Sequence, residues 1–395
     1  MQYAMDINNQ VFAGRFNRPQ WVLNQPLNTW GQIPTVNVLA DLNTRYNPDL
    51  NPNYPGLPEW FGDQGGTFAR IITGWCGASF NPELDELRIP PPAGHADYCG
   101  GEPYNLYTRT ENPQFKMMYP PAGALPNPFI TNDGQEATGL YANGRCRAVH
   151  SYNRAIWIPG YGHALIPQGS TSHSGQNGTL RPILFDQDSG EMSLFGEPLD
   201  VGSPGDYSGG CSCWDSLRQA VWVRRLGSGV FHRWHPATRT WTKNVSASMA
   251  TTGNGTCEYI PEFDCIMWLN TTFANANEVA VVNCATGQIT RKPISGNAVG
   301  MVLNGFCQPR RFAANQFACW NNSSDTTQIN VLSFDTHPIN GNWSVTQLPV
   351  ASDNAVTPTT AATTGTYGRF WHSPRMGILA TLNDVSQRPY FYRYK

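Results

Sequence analysis

Six short segments of the chain share one pattern, and this internal repeat restricts the possible folds more than any other feature. Each segment opens on a small residue and reaches Leu, Trp or Ala eleven residues after its opener. Turn-forming residues lie in the middle, for example Asn81-Pro82 in the first segment and Tyr152-Asn153 in the second. The openers are Cys76, Cys146, Cys211, Cys257, Cys307 and Gly368. Their spacings of 70, 65, 46, 50 and 61 residues fit a constant hairpin followed by loops of variable length. The pattern predicts a strand, a tight turn and a second strand in each unit.

Two further strands are predicted after each hairpin. The third strands are expected at 103–108, 182–185, 229–234, 278–283, 328–334 and 389–394. The fourth strands are expected at 114–119, 191–195, 240–243, 288–291 and 343–347. Turns rich in Asp, Asn, Gly and Pro separate several of these pairs, for example at 186–190, 236–238 and 335–338. These residue types accept the backbone geometry of tight turns, so the segments read as short antiparallel strands.

The sixth unit has no fourth strand before Lys395, and the N-terminal region offers a replacement. Residues 28–33 match the fourth-strand pattern of 239–243 and 341–345, with Trp30 in the place of Trp241 and Trp343. Pairing of Thr29–Ile33 with 389–394 would remove the exposed edges of an open array. The sequence therefore predicts an all-β fold, a six-bladed β-propeller of four-stranded blades closed by its N-terminal strand.

The predicted organisation is an N-terminal arm at 1–27 and a propeller at 28–395. Within the propeller, a closing strand at 28–35 precedes a long connection at 36–66 that is rich in Pro and Asn. A connection of this length usually has a functional or interface role. The blades are expected at about 67–120, 138–200, 205–246, 252–295, 299–350 and 360–395.

Composition excludes several classes of partner. Charged residues make up 14% of the chain and the net charge is −2, so there is no basic surface for nucleic acid and no polybasic run for a membrane. Residues 1–14 lack the pattern of a secretory signal, so the ten cysteines are expected to be reduced thiols. The cysteine and glycine openers are expected to line the axis, where only small side chains fit.

One segment carries a family resemblance. Residues 93–98 read AGHADY and 101–104 read GEPY, and this stretch resembles Kelch-type propellers of the galactose-oxidase-like superfamily. It is most similar to bacterial and tailed-phage Kelch-like proteins with a GGHADY segment, and the similarity covers roughly residues 70–165. The resemblance implies a propeller, but a fold does not determine a function.

The candidate binding residues are His95, Asp97, Tyr98 and His163, of which His163 lies in a similar GHA sequence. A structural role is favoured for them, because a histidine that recurs at equivalent places of a repeat reflects shared architecture. No nucleophile, metal constellation or phosphate-binding loop is recognisable, so the sequence predicts no catalytic residue, no metal and no cofactor.

Three functions stay open. The favoured one is a structural protein of a tailed-phage virion, a nozzle- or hub-type tail propeller assembled in the host cytoplasm. It would contact other virion proteins or copies of itself through 1–27 and 36–66. The first alternative is a Kelch-like module that binds a glycan or a protein partner. The second, implied by the resemblance, is a galactose-oxidase-like oxidoreductase, which would need two Tyr, two His and a Tyr joined to Cys around copper.

Overall fold

The computed structural model describes residues 17–42, 68–89, 103–118, 150–167, 180–200, 209–225, 229–249, 254–298, 307–320, 325–362 and 364–395. Among these residues, no helix has the length and apolar character needed to cross a membrane. The helices are short: α1 (Gln20–Leu23), α2 (Arg70–Thr73), α3 (Thr271–Asn275) and 3-10 turns at Leu39–Leu42 and Pro261–Phe263. The described part of the chain is therefore almost entirely strand and loop.

Strands β1 to β24 are arranged in six four-stranded units, numbered here in chain order of their first strands. The N-terminal strand β1 (Thr29–Gln32) belongs to the last of these, unit 6. Unit 1 contains β2 (Ser79–Asn81), β3 (Glu86–Ile89), β4 (Tyr104–Tyr107) and β5 (Phe115–Met117). Unit 2 contains β6 (Ala155–Ile158), β7 (Gly162–Leu165), β8 (Ile183–Phe185) and β9 (Met192–Leu194). Unit 3 contains β10 (Ser212–Asp215), β11 (Ala220–Arg224), β12 (Phe231–His235) and β13 (Thr240–Thr242).

Units 4 and 5 belong to one eight-stranded sheet. Unit 4 contains β14 (Gly255–Ile260), β15 (Cys265–Asn270), β16 (Glu278–Asn283) and β17 (Ile289–Ser295). Unit 5 contains β18 (Arg310–Ala313), β19 (Gln316–Cys319), β20 (Asn330–Phe334) and β21 (Trp343–Gln347). Each unit is an antiparallel meander, and the two are joined only where Ile294 and Ser295 pair in parallel with Trp343 and Ser344.

Unit 6 joins the two ends of the chain. It contains β22 (Phe370–Ser373), β23 (Ile378–Thr381), β24 (Tyr390–Arg393) and β1, in the order β1-β24-β23-β22. Thr29 pairs with Arg393 and Gln32 with Tyr390 in an antiparallel register. The predicted pairing of the N-terminal strand with the last strand is thereby confirmed.

Polar side chains at the strand ends build the hairpin turns. Asp215 Oδ1 accepts hydrogen bonds from the backbone N–H groups of Leu217 and Arg218, at 3.0 Å each. Asp186 does the same for Asp188 and Ser189, at 3.0 and 2.7 Å. A short Asp or Asn side chain satisfies the free amides of a tight turn, which is why these residue types recur at the predicted turns.

Neighbouring units meet at their first strands, as β2 does with β6, β6 with β10, β10 with β14, and β18 with β22. Ser212 N–H donates to Asn153 O at 3.0 Å, and Gly255 N–H donates to Gly209 O at 3.0 Å. At the other end of the series, the Arg369 guanidinium in unit 6 donates through Nε to Cys76 O in unit 1, at 3.0 Å. First strands of these neighbouring units are therefore in contact, and the sixth unit contacts the first.

The sequence prediction is wrong at unit 2. The hairpin turn was expected at Tyr152 and Asn153, but the structure forms it at 159–161, between β6 and β7. Gly160 and Gly162 supply the positive φ angles that this turn needs, at 79° and 116°. Residues 151–154 instead form a separate turn, in which Arg154 N–H donates to Ser151 O at 3.0 Å.

Candidate functional site

Four aromatic rings cluster just before the first strands of units 1, 2 and 6. Trp75, Tyr152 and Tyr367 each precede a first strand, and His150 lies between the first two. The ring centroids of Trp75 and His150 are 5.0 Å apart. Those of His150 and Tyr152, and of Tyr152 and Tyr367, are each 5.5 Å apart. We call these four residues the aromatic cluster.

The backbone of the aromatic cluster is strained. Trp75, Tyr152 and Tyr367 have φ angles of 59°, 46° and 42°, a region that bulky side chains rarely occupy. Contacts between units hold them there, since Tyr152 N–H donates to Trp75 O at 3.0 Å. Such strain persists only when the surrounding structure over-determines it, and it is concentrated at functional sites.

Two buried arginines lie behind the tyrosines. Arg369 donates to the backbone carbonyls of Cys76 and Leu382, at 3.0 and 2.7 Å, and to that of Gly365. Arg154 donates to the carbonyls of His150 and Pro167. Burial lowers the pKa of each guanidinium to about 10, so both remain charged at neutral pH.

The tyrosine hydroxyls remain protonated. Burial raises the pKa of Tyr152 to about 12, and it raises the pKa of Tyr367 well above its ordinary value. Tyr152 and His150 share a hydrogen bond of 3.1 Å between the hydroxyl oxygen and Nδ1. Trp75 and His150 are half-buried, while Tyr152 and Tyr367 are buried. The cluster therefore leads from partly accessible rings to a buried phenol.

Buried cysteines recur at the first strands of four units. Cys76, Cys211, Cys257 and Cys307 are buried, outside any disulfide bond of the described residues, and lie at or just before the first strands of units 1, 3, 4 and 5. Gly368 stands at the corresponding place in unit 6, and Cys146 lies outside the described residues. Burial raises the pKa of the Cys211 and Cys257 thiols well above the ordinary value, so they are unreactive as nucleophiles.

Glu258 is a half-buried carboxyl on β14. Burial raises its pKa to about 7, although Arg310 and Arg311 of unit 5 oppose this shift. A carboxyl that titrates near neutrality suits proton transfer. Nothing in the sequence distinguished this glutamate.

His163, a predicted binding residue, lies fully buried on β7 within a polar network between units 1 and 2. Its Nδ1 is 2.5 Å from Ser79 Oγ, and its Nε2 is 3.6 Å from Glu86 Oε2. Burial lowers the pKa of His163 to about 4, so the ring is neutral. Ser, His and Glu in this order resemble a hydrolytic triad, but all three are buried, and the network joins two sheets.

Arg88 completes this network. It donates to Asn105 Oδ1 at 2.7 Å, to Glu86 Oε1 at 3.0 Å, and to the carbonyls of Asp186 and Gln187 in unit 2 at 2.7 Å each. Burial opposes the charge of Glu86, but hydrogen bonding to His163 and the charge of Arg88 lower its pKa. The other predicted binding residues, His95, Asp97 and Tyr98, lie outside the described residues.

Asp215, Asp264 and Cys284 have ligand atoms within 4.8 Å of one another, a grouping that could hold a metal ion. Arg218 already occupies this grouping, with bonds of 2.5 and 2.7 Å to Asp264 and 3.0 Å to Asp215. Tyr259 and Trp222 also donate to the two carboxylates. The arrangement is an ion-pair network that joins units 3 and 4.

Sequence reasoning missed the aromatic cluster and its arginines. A signal existed in the repeated tetrapeptides Ser151-Tyr152-Asn153-Arg154 and Thr366-Tyr367-Gly368-Arg369. Both place a tyrosine with positive φ two residues before a buried arginine. The expected alignment of unit 2 on Cys146 obscured this match.

No family model and no curated protein matches the chain. Solved structures that are similar in shape are propeller-like. An auxiliary nutrient binding protein from Bacteroides ovatus is 13% identical, with 81% of this chain and 69% of that chain covered and a TM-score of 0.46. A gluconolactonase from Xanthomonas campestris is 10% identical, with 82% and 87% covered and a TM-score of 0.44.

A calcium-binding protein, regucalcin, from Agrobacterium tumefaciens is 12% identical, with 82% and 90% covered and a TM-score of 0.41. Similarity at this level does not transfer an activity to the present chain. The chain is an all-β protein built of four-stranded antiparallel units. The Kelch-type resemblance stays a prediction, and the segment around His95 that carries it lies outside the described residues.

Proposed function

We propose that the chain is a six-bladed β-propeller that acts through protein–protein contacts as a structural component of a tailed-phage virion, in the tail. The six units, the contacts between their first strands and the shared sheet of β1 with β24 support the closed ring. A closed ring that leaves only short edge strands is a rigid body that resists edge-to-edge aggregation. Such a body suits a part that must hold its neighbours in a fixed position.

The observation that carries this proposal is the path of residues 17–42 along the junction of units 6 and 1. Trp21 Nε1 donates to Thr110 O at 3.0 Å, and Arg18 donates to Lys395 O at 2.8 Å. Further along, Asn37 exchanges hydrogen bonds with the backbone of Phe115, at 2.8 and 3.0 Å. Both segments that we expect to contact neighbours, the arm and the long connection, are thus anchored at one place on the ring.

Exposed apolar residues lie on the same segments. Leu23, Leu27 and Val36 are 47%, 51% and 60% exposed. An apolar side chain in water gains free energy when a partner covers it. These residues give the anchored segments a surface on which a second copy of the chain can pack.

The thiols fit assembly in a reducing compartment. Cys211 and Cys257 interact by hydrogen bonding, as do Cys307 and Cys319. Thiols that lie so close are kept reduced in a cytoplasm, where phage particles assemble. In an exported glycan-binding module, the same pairs of thiols would be exposed to an oxidising environment that favours disulfides.

The native mass tests the proposal. We expect mass photometry of the full chain to show species well above the 43.7 kDa monomer. The double variant Leu27→Asp, Val36→Asp should shift these species to monomer without loss of the β-sheet circular dichroism signal. Leu217→Asp, in the β10–β11 turn where Leu217 is 66% exposed, is the matched control and should assemble normally. A wild-type chain that stays monomeric at all concentrations would count against the assembly role.

The galactose-oxidase-like alternative has a partial counterpart in the structure. The described residues bring Tyr152, Tyr367 and one histidine, His150, together, with Cys76 interacting electrostatically with both tyrosines. The second histidine that such a copper site requires is not among the described residues near them. The described residues therefore do not supply all the ligands that this copper site requires. Copper-dependent peroxide production by the purified chain would favour this alternative over the structural role.

A further inference from the structure

The hydroxyl of Tyr367 is a buried polar group with no hydrogen-bond partner among the described residues. The side chain is 0% exposed. A buried hydroxyl without a partner destabilises the folded state relative to a satisfied one, so native proteins rarely keep one without a reason. The hydroxyl belongs to the aromatic cluster, which reaches the surface through the half-buried rings of Trp75 and His150.

The electrostatic surroundings of this hydroxyl are positive. In the described part of the chain, all hydrogen bonds of the buried Arg369 side chain go to backbone carbonyl oxygens, of Cys76, Leu382 and Gly365. Its charge interacts with Tyr367, and the charge of Arg154 interacts with Tyr152. Carbonyl dipoles solvate a guanidinium but do not cancel its charge, so the positive potential of Arg369 extends to the Tyr367 hydroxyl.

We infer that the aromatic cluster is a binding site for a small carboxylate-bearing ligand. The Tyr367 hydroxyl would donate to the carboxylate, and the faces of Trp75 and His150 would contact the body of the ligand. Tyr152 lies between the accessible rings and Tyr367, so its side chain must turn aside, a change of the size that is common on binding. The binding would hold whether or not the chain assembles into a virion.

The charge of the ligand follows from the same contacts. A cage of aromatic rings alone would favour a cation, which is attracted to the ring faces. Here the buried Arg369 guanidinium, whose hydrogen bonds go to backbone carbonyls, lies behind the cage and repels a cation. A neutral ligand could accept the Tyr367 hydrogen bond, but a carboxylate accepts it with about twice the strength and also gains from the positive potential.

Three sugars that share one pyranose ring but differ in charge test this inference. At physiological pH, glucuronate is negatively charged, glucose is neutral and glucosamine is positively charged. Titration calorimetry with the full chain should show heat for glucuronate and weaker or no binding of the other two. Succinate distinguishes the source of the carboxylate, since its binding would show that the sugar ring is not required. Equal affinity for glucose and glucuronate, preference for glucosamine, or no binding of either carboxylate would overturn the inference.

Variants locate the site. Tyr367→Phe removes only a hydroxyl that has no partner among the described residues, so the fold should survive, and glucuronate binding should weaken by about tenfold. Tyr161→Phe is the matched control, because Tyr161 lies exposed in the β6–β7 turn and should leave binding unchanged. Trp75→Leu should also weaken binding by removing the ring face. Unaltered binding in both Tyr367→Phe and Trp75→Leu would place the ligand elsewhere and refute the site.

Discussion

Gly368 shows how closely units 6 and 1 approach at the start of their first strands. A Cβ atom added to this glycine would collide with the carbonyl oxygen of Ala78, a backbone atom that cannot swing aside. We predict that Gly368→Ala lowers the free energy of unfolding by about 1–3 kcal/mol, the usual cost of overpacking. Urea denaturation measures this loss.

Gly160→Ala is the control, because a Cβ there meets no atom within 4 Å and only its φ of 79° opposes substitution. Its cost should be limited to about 1 kcal/mol from the left-handed backbone. If both variants lost the same free energy, the close approach of the two units would not be what requires glycine at 368.

His163 should make the stability of the protein depend on pH. The folded pKa is about 4, against 6.5 for the free side chain, because burial disfavours the charged ring. Below pH 6.5 the His163 side chain is protonated in the unfolded chain but stays neutral in the folded chain. The free energy of unfolding therefore falls as the pH falls from 6.5 to about 4. Above this window the neutral ring contributes its full stability.

The variant His163→Gln should flatten part of this dependence, since glutamine does not titrate. Urea unfolding at pH 7.0, 6.0 and 5.0 would show a smaller decrease per pH unit than in the wild type. A residual slope is expected, because burial also lowers the pKa of His232 and His372 to about 4. An identical slope in wild type and variant would mean that His163 is not the neutral, buried group described above.

Trp30 connects β1 to two units. It is fully buried, donates through Nε1 to Thr327 O at 2.7 Å, and packs against Trp320 and Tyr392 at 6.2 and 5.7 Å. We predict that Trp30→Ala destabilises the protein by about 3–5 kcal/mol. Trp241→Ala, at the equivalent place on β13 but only half-buried, should cost clearly less. Thermal unfolding compares the stability of the two variants. Equal losses of stability would show that Trp30 on β1 contributes no more to the core than the tryptophan of another outer strand.

Deletion of residues 1–33 tests the same element more severely. The truncated chain would expose β24 as an unpaired edge beside the core, and an exposed edge of this kind associates with other chains. We expect light scattering to detect aggregation of the truncated chain at concentrations where the full chain is clear. A truncated chain that stayed monomeric with an unchanged melting temperature would contradict closure by β1.

The strands were predictable where local chemistry decides them. Asn28 and Arg239, which begin the matching segments before Trp30 and Trp241, have nearly the same φ, 60° and 59°, so the repeat in sequence reflects a repeat in backbone. Unit 2 was misaligned because glycines, and not Tyr152, supply its hairpin turn. Polar networks were not predictable, since Ser79 and His163 are 84 residues apart and meet only when two units pack.

For the whole molecule, the aromatic cluster illustrates why sites on such a fold escape sequence analysis. Its members come from three units, and Tyr367 is far along the chain from Trp75. Units 1 and 6 are adjacent only because the sixth unit returns to the first, as the bond from Arg369 to Cys76 O shows. The order of contacts around the molecule, and not any local motif, therefore brings these residues together.

The cysteines give a test that involves the entire molecule. All eight cysteines in the described residues are buried thiols outside disulfide bonds, so in the native state their reaction with a thiol reagent should be slow and should require unfolding. In denaturant without reductant, we expect nearly all of the ten thiols of the chain to react. The urea concentration at which they become reactive should coincide with the loss of the circular dichroism signal, because the described thiols of units 3, 4 and 5 share one hydrophobic cluster. The control is protein freshly purified from the cytoplasm of an expression host. If half of its cysteines were already oxidised, both the burial of the thiols and the reducing compartment that the assembly proposal requires would be refuted.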